Sequence, residues 1–159
     1  MKVLFLASIL CLAAGTANAS DSVSCEAART VVDRYIALDL AGEGLHTSER
    51  MGRLIDYQGR DTPGWDSFML TSESKIKSCK ESGAKIIVAI SHMVLGESSG
   101  NDGFAETIRK LSPNQPKEEI TELRLNKTAQ GWKIDSSSVY VPHVGVDALK
   151  ALVEMPERH

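Results

Sequence analysis

The hydrophobic pattern of the chain changes its period partway along, and this change constrains the fold most. Over residues 27–41 the apolar side chains recur at helical spacing, with Arg29 and Asp33 on the opposite side. From residue 68 onward they fall into short runs of strand character. Helices followed by strands predict an α+β domain in which helices pack on one face of an antiparallel sheet.

The expected elements follow from this pattern and from the turn residues between the runs. Ser22 or Ser24 would cap the first helix and Gly42 would end it. The polar segment 97–116 has room for one or two helical turns over 104–111. We expect helices over 27–41, 47–55 and 146–155, a loop over 56–66, and strands over 68–70, 74–80, 85–96, 119–127 and 131–141.

The segment 85–96 is apolar on both faces, which predicts a central strand covered on both sides. By alternation, His92 shares a face with Ile86, Val88, Ile90 and Val94. The opposite face carries the row Ile87, Ala89, Met93 and Leu95. A second apolar row needs a cover, and a homodimer through this outer face would supply one.

The first nineteen residues have the pattern of a secretory signal peptide. Lys2 supplies a positive charge, residues 3–14 are almost all apolar, and Ala17-Asn18-Ala19 offers a small-x-small cleavage site. The run is shorter than the roughly 20 residues that span a bilayer. We therefore expect cleavage after Ala19, export to the periplasm or medium, and one domain over 20–159 with no membrane span.

Cleavage removes Cys11 and leaves Cys25 and Cys79 in an oxidising compartment. An even pair there predicts a disulfide, whose loop would stabilise the fold by about 4 kcal/mol in the chain-entropy model. The alternative is two separate buried thiols.

Composition excludes several classes of partner. The net charge is −3 and no lysine or arginine cluster occurs, so neither nucleic acid nor an anionic membrane surface is an expected partner. The four histidines and two remaining cysteines show no metal-ligand spacing. We expect neither a metal nor a cofactor.

Two local signatures, together with the order of elements, resemble the NTF2-like (SnoaL-like, ketosteroid-isomerase-like) superfamily. The first is Val31-Val32-Asp33-Arg34-Tyr35-Ile36-Ala37-Leu38-Asp39-Leu40-Ala41-Gly42-Glu43, and the second is Gly131-Trp132-Lys133-Ile134-Asp135. The resemblance implies a cone, in which a curved sheet wraps the helices around an apolar cavity, and sheet-to-sheet dimers. Because the family holds both enzymes and binding proteins, it leaves the activity open.

Tyr35 matches the tyrosine that ketosteroid isomerases use as an oxyanion donor, although a core tyrosine fits the same position. Asp56 and Asp61 lie where the carboxylate base would be. Ser91 and His92 stand where the second acid would be, and this departure argues against steroid-type isomerisation.

His92, Tyr35 and Asp39 are the catalytic candidates, with His92 as a general base. A core histidine held by hydrogen bonds is the alternative. For an apolar ligand, the candidate contacts are Tyr35, His92 and Trp132.

Three hypotheses for function remain from the sequence. The first is an exported protein that binds a small apolar ligand or a partner protein without catalysis. The second is a lyase or isomerase acting on a small hydrophobic substrate in the cavity. The third is an immunity or inhibitor protein that meets a toxin through the loop 97–116.

Overall fold

The computed structural model describes residues 22–46, 48–58, 65–99, 104–109, 111, 115–139 and 141–154. The proposed signal peptide, Thr47, Asp61 and parts of the loop 97–116 lie outside these ranges. The helices are α1 (Val23–Leu40), α2 (Glu49–Gly52), α3 (Phe104–Arg109) and α4 (Val146–Glu154), with 3-10 turns at Glu43–Leu45 and Ser136–Ser138. The strands are β1 (Ile55–Asp56), β2 (Ser67–Ser82), β3 (Lys85–Ser99), β4 (Lys117–Thr128), β5 (Gly131–Asp135) and β6 (His143–Gly145).

Helix α1 has the boundaries that its capping residues dictate. The Ser22 side chain accepts a hydrogen bond from the Cys25 backbone N–H at 3.2 Å, so the helix begins before the apolar stripe. Gly42 has a φ of 82°, a left-handed conformation that glycine adopts without strain. Ser22 is therefore the cap and Gly42 follows the end of the helix, as expected, but the helix begins at Val23 and not at the predicted residue 27.

The strands form one curled six-stranded sheet in the order β1-β5-β4-β3-β2-β6. Its four central strands are antiparallel, and the hairpin from β4 to β5 is present as expected. The prediction of a wholly antiparallel sheet is wrong at both edges, because β1 pairs in parallel with β5 and β6 pairs in parallel with β2. The domain is nevertheless mixed α+β, with a long N-terminal and a short C-terminal helix.

Several predicted elements have different bounds. The two expected strands over 68–70 and 74–80 are one continuous strand, β2. The expected strand over 131–141 ends at Asp135, because the Asp135 side chain accepts the Ser137 backbone N–H at 3.0 Å and starts a 3-10 turn. The expected helix over 47–55 shrinks to α2, and Ile55 enters strand β1.

Helix α1 packs across the face of the sheet that we call the inner face. The main core lies between the helix and the sheet. This core contains Cys25, Ala28, Val32, Tyr35, Ile36, Leu38, Met51, Leu54, Ile55, Ile86, Val88, Ile90, Leu123, Leu125 and Ile134. Burial of each valine, leucine, isoleucine or methionine side chain contributes about 1.5–3 kcal/mol to stability. In a smaller cluster, Leu149 of α4 packs with Phe68 and Leu70 of β2 and with Val144 of β6.

Cys25 and Cys79 form a disulfide, as predicted. It joins the first turn of α1 to β2, across a Cα–Cα distance of 5.9 Å. Beside it, the Ser22 hydroxyl donates to the Glu81 carboxylate at 2.5 Å. The N-terminal turn of α1 is therefore attached to the C-terminal part of β2 by a covalent bond and a hydrogen bond.

The outer face of the sheet is partly covered by its own charged side chains. Lys77 on β2 lies 3.0 Å from Glu118 on β4, and Lys80 lies 3.6 Å from Glu122, so both ion pairs cross the intervening β3. The β3 row Ile87, Ala89, Met93 and Leu95 is half-buried beside them. Association of two copies through this face stays a prediction.

The described part of the chain contains no helix with the length and apolar character that a membrane crossing requires.

Candidate functional site

A cavity lies at the C-terminal end of α1, between the segment that follows the helix and residues 139–142. Its volume is about 30 Å³, enough for one or two water-sized groups. Tyr35, Tyr57 and Trp65 line it together with Asp39, Glu43 and apolar groups. The cavity therefore has aromatic walls and carboxyl groups at one end of the helix, although it is narrow as it stands.

Asp39 is the most unusual residue of this cavity. Its side chain is buried, with only 3% of the residue exposed. The His143 backbone N–H donates to Oδ2 at 3.0 Å, whereas Oδ1 has no hydrogen-bond partner among the described residues. Burial raises the pKa of Asp39 from 3.8 to about 7, and the His143 hydrogen bond opposes this rise. The carboxyl group can therefore gain or lose a proton near neutral pH.

Gly44 closes one side of the Asp39 carboxyl group. A Cβ atom at this position would lie 2.6 Å from Asp39 Oδ1 and 3.2 Å from Pro142 Cβ. Both Gly44 and Pro142 also line the cavity. Asp39 Oδ1 therefore packs directly against Gly44, where any larger residue would force the carboxyl group to shift, and sequence analysis did not identify this residue.

Tyr35 lies one turn before Asp39 on α1, so both side chains face the cavity. Burial, then the charge of Asp39, then Tyr57 raise the pKa of Tyr35 well above its usual value. Its hydroxyl group therefore stays protonated at physiological pH and is able to donate a hydrogen bond. The structure thus brings two of the three predicted catalytic candidates together.

Glu43 also lines the cavity, but its carboxylate differs from that of Asp39 in its hydrogen-bond and ion-pair partners. Arg50 forms an ion pair with Glu43 at 2.5 Å, and the Ser48 hydroxyl also donates to this carboxylate. The Glu43 charge is therefore partnered, whereas Asp39 Oδ1 has no partner among the residues that the structure describes.

His92, the third candidate, lies on the inner face as predicted but is absent from the cavity lining. Its Nδ1 is 2.8 Å from the Ser74 hydroxyl and its Nε2 is 2.9 Å from the Thr121 hydroxyl. Burial and the neighbouring His143 lower the pKa of His92 to about 3. This geometry matches the alternative of a core histidine, neutral and hydrogen-bonded on both sides.

His143 connects the two groups, and sequence analysis did not single it out. Its ring stacks on His92 with centroids 3.6 Å apart, and its Nδ1 lies 3.9 Å from Asp39 Oδ2. Burial lowers the pKa of His143 to about 4, although a hydrogen bond with the Val141 backbone opposes this. Strand β6 has only three residues, so its sequence gave no periodic signal for this position.

The other predicted contacts lie elsewhere. Trp132 is partly buried against the main core and is absent from the cavity lining. Asp56 accepts the Gln58 backbone N–H at 3.3 Å, also outside this lining, and Asp61 lies outside the described residues. Within the described ranges, no three histidine, cysteine or acidic side chains converge where a metal could bind.

Comparison of the chain with protein-family models, curated proteins and solved structures gives no match.

Proposed function

We propose that this protein is an exported small-ligand-binding protein and that the cavity beside Asp39 is its binding site. The ligand would be mainly apolar, with one polar head group that reaches Asp39 Oδ1. Aromatic walls favour an apolar body, and a few placed polar groups orient ligands in protein pockets.

One observation carries this proposal: Asp39 lines an aromatic cavity, and its buried Oδ1 has no hydrogen-bond partner among the described residues. Leaving such a group unpaired costs about 1–3 kcal/mol, or more when it is charged. A ligand that satisfies this oxygen would recover that free energy on binding.

Membership of the NTF2-like superfamily is part of the same proposal. The curled sheet around a long N-terminal helix is compatible with a cone, and the two sequence signatures support it. Export is supported by the disulfide, because such crosslinks persist mainly outside the cytoplasm.

The two tryptophans of the chain provide a direct test of the site. Trp65 lines the cavity and Trp132 does not. In ¹H–¹⁵N NMR spectra, the indole N–H signal of Trp65 therefore reports on the cavity, and that of Trp132 reports on a region outside it. We expect at least one of n-butylamine, 1-butanol and sodium butyrate to shift the Trp65 signal saturably, at about millimolar concentration. The Trp132 signal should stay in place.

Gly44→Ala is the matched loss-of-site variant, because its Cβ would force the Asp39 carboxyl group to shift. Gly52→Ala is its control, since a Cβ there meets nothing within 4 Å. We expect the first variant to lose the Trp65 response and the second to keep it. Absence of a saturable Trp65 shift with all three compounds would overturn the proposed binding role.

A catalytic role is a second candidate, favoured by one observation. The pKa of Asp39, at about 7, suits a general acid or base at neutral pH, and the Tyr35 hydroxyl lies on the same helix face. In that case Asp39 and Tyr35 would act on a small hydrophobic substrate without His92.

A further inference from the structure

The charge of the cavity lining disfavours one class of head group. Asp39 and Glu43 both line the cavity, whereas the described lining contains no lysine or arginine. Arg50 is nearby, but its guanidinium is paired with Glu43. An anionic head group would therefore meet carboxyl groups without a compensating lysine or arginine in the described lining, and the chemistry favours a neutral or a positively charged head group.

The aromatic side chains narrow the choice further. Tyr35, Tyr57 and Trp65 surround the same small space. Aromatic rings attract cations through their quadrupoles, most strongly in sites that exclude water. Neutral polar groups gain nothing comparable from these rings.

Combining these features, and resting on the proposed binding function, we infer that the ligand class is a primary alkylammonium compound. Its ammonium group would donate one N–H to Asp39 Oδ1 and lie among the three aromatic side chains. A charge-assisted hydrogen bond of this kind is about twice as strong as a neutral one.

The size of the cavity fits the head group rather than the whole molecule. About 30 Å³ accommodates one or two water-sized groups, and an ammonium group is of that size. The alkyl chain would extend past Met51, Ile55 and Val139, which supply the apolar part of the lining. The recognised chemistry is therefore a small cation on an apolar chain.

Protonation of Asp39 competes with this cation. Its pKa of about 7 makes the carboxylate form more abundant as the pH rises above neutrality. Among the groups that face Asp39, the pKa values of Tyr35 and Tyr57 are raised and that of His143 is lowered to about 4, so these three keep one charge state in this range. Glu43 is paired with Arg50. His46 also lines the cavity and its imidazole is ionisable, so the pH comparison is made in a His46→Gln variant. Ammonium binding should therefore strengthen with pH through the titration of Asp39.

The test compares three four-carbon compounds that differ in head group: n-butylammonium chloride, 1-butanol and sodium butyrate. Binding to the full mature chain is measured at about pH 8 by the Trp65 indole shift, with Trp132 as internal reference. We expect n-butylammonium to bind about tenfold more tightly than 1-butanol, consistent with the strength of cation–π and charge-assisted contacts. Butyrate should bind most weakly.

Asp39→Asn keeps the shape of the side chain and removes its charge. We expect it to weaken n-butylammonium binding about tenfold while changing 1-butanol binding by less than about twofold. Asp33→Asn, an exposed substitution on the same helix, should change neither. In a His46→Gln variant, which removes the other ionisable ring of the lining, lowering the pH from about 8 to about 6 should weaken n-butylammonium binding by close to tenfold and leave 1-butanol binding unchanged.

The outcomes separate this inference from the proposed function. Equal binding of n-butylammonium and 1-butanol, or tightest binding of butyrate, would overturn the ammonium inference and leave a binding role standing. Unchanged ammonium affinity in Asp39→Asn would overturn the inference as well, because Asp39 would not be the anchor. Failure of all three compounds would remove both proposals.

Discussion

Asp39 on α1 and His92 on β3 are both buried polar residues, but their surroundings differ. Ser74 and Thr121 contact both ring nitrogens of His92, so that its hydrogen-bonding capacity is used within the fold. Asp39 has one oxygen bonded to the His143 backbone and one oxygen without a partner in the part of the chain that the structure describes. The first arrangement stabilises a core, whereas the second leaves capacity for a ligand.

This difference indicates where function is most worth testing. The sequence favoured His92 as a catalytic residue, because an imidazole is the usual general base at neutral pH. The pattern of hydrogen bonds points to Asp39, which also borders a cavity. Substitutions at the two sites should therefore have opposite consequences for stability.

The largest effect is expected for His92→Ala. This change leaves the Ser74 and Thr121 hydroxyls without their ring partner and creates a void beside His143. We expect the free energy of unfolding to fall by about 4 kcal/mol, measured by urea denaturation. His46→Ala is the control, since His46 is exposed and should cost less than about 0.5 kcal/mol. A loss below about 1 kcal/mol at His92 would mean that the hydroxyl contacts contribute little.

Asp39→Asn should instead stabilise the protein at high pH. Below the unfolded-state pKa of 3.8 the carboxyl group is neutral in both states, and its raised folded-state pKa costs nothing. Between about pH 4 and pH 7 the unfolded state ionises while the folded state keeps its proton, so the cost grows with pH. Above about pH 7 the folded state carries the buried charge and the cost is complete, at about 4 kcal/mol for a pKa rise of this size. Asparagine avoids this cost, although its own amide stays incompletely bonded.

Urea denaturation at two pH values measures this effect. At about pH 9 we expect Asp39→Asn to be about 3 kcal/mol more stable than the unmodified protein, with the advantage gone at about pH 4. Asp33→Asn, exposed on the same helix, should show no such pH dependence. Equal stability of the Asp39→Asn variant and the unmodified protein at both pH values would show that the carboxyl group is not desolvated.

A smaller effect is expected for Gly44→Ala. Its Cβ would approach Asp39 Oδ1 to 2.6 Å, so a buried side chain must shift. We expect a loss of about 1 kcal/mol in thermal or urea denaturation, as for mild overpacking. Gly52→Ala should be neutral or slightly stabilising, because its position is open and alanine restricts the unfolded chain. Equal stability of the two variants would indicate that Asp39 has room to move away from Gly44.

Much of the fold was predictable because its signals are local. The α1 stripe, the Ser22 cap, the Gly42 stop and the two-faced strand over 85–96 are each visible in a short stretch of sequence. The Cys25–Cys79 pairing followed from counting cysteines after the expected cleavage. The β4–β5 hairpin was evident from its turn residues.

The remainder depended on contacts between distant segments. Strands β1 and β6 have two and three residues, and only their parallel pairing with β5 and β2 makes them strands. The backbone of His143 contacts Asp39 although the two residues are 104 positions apart in the sequence. The close packing of Gly44 against Asp39 and Pro142 likewise depends on this contact between distant segments. Tyr35 and Asp39 were identifiable as candidates, whereas the unpartnered oxygen that distinguishes Asp39 appears only when β6 is in place.

The disulfide has a consequence for how this protein can change over evolutionary time. Cys25 and Asp39 are fourteen positions apart in one helix, about 21 Å along its axis. The crosslink holds one end of α1 to β2, while the cavity lies at the other end, among short turns. When residues around the cavity are substituted, the disulfide at the opposite end of α1 still holds the helix to the sheet. A covalent bond far from the cavity thus leaves the cavity end of the helix free to accept substitutions without loss of the fold.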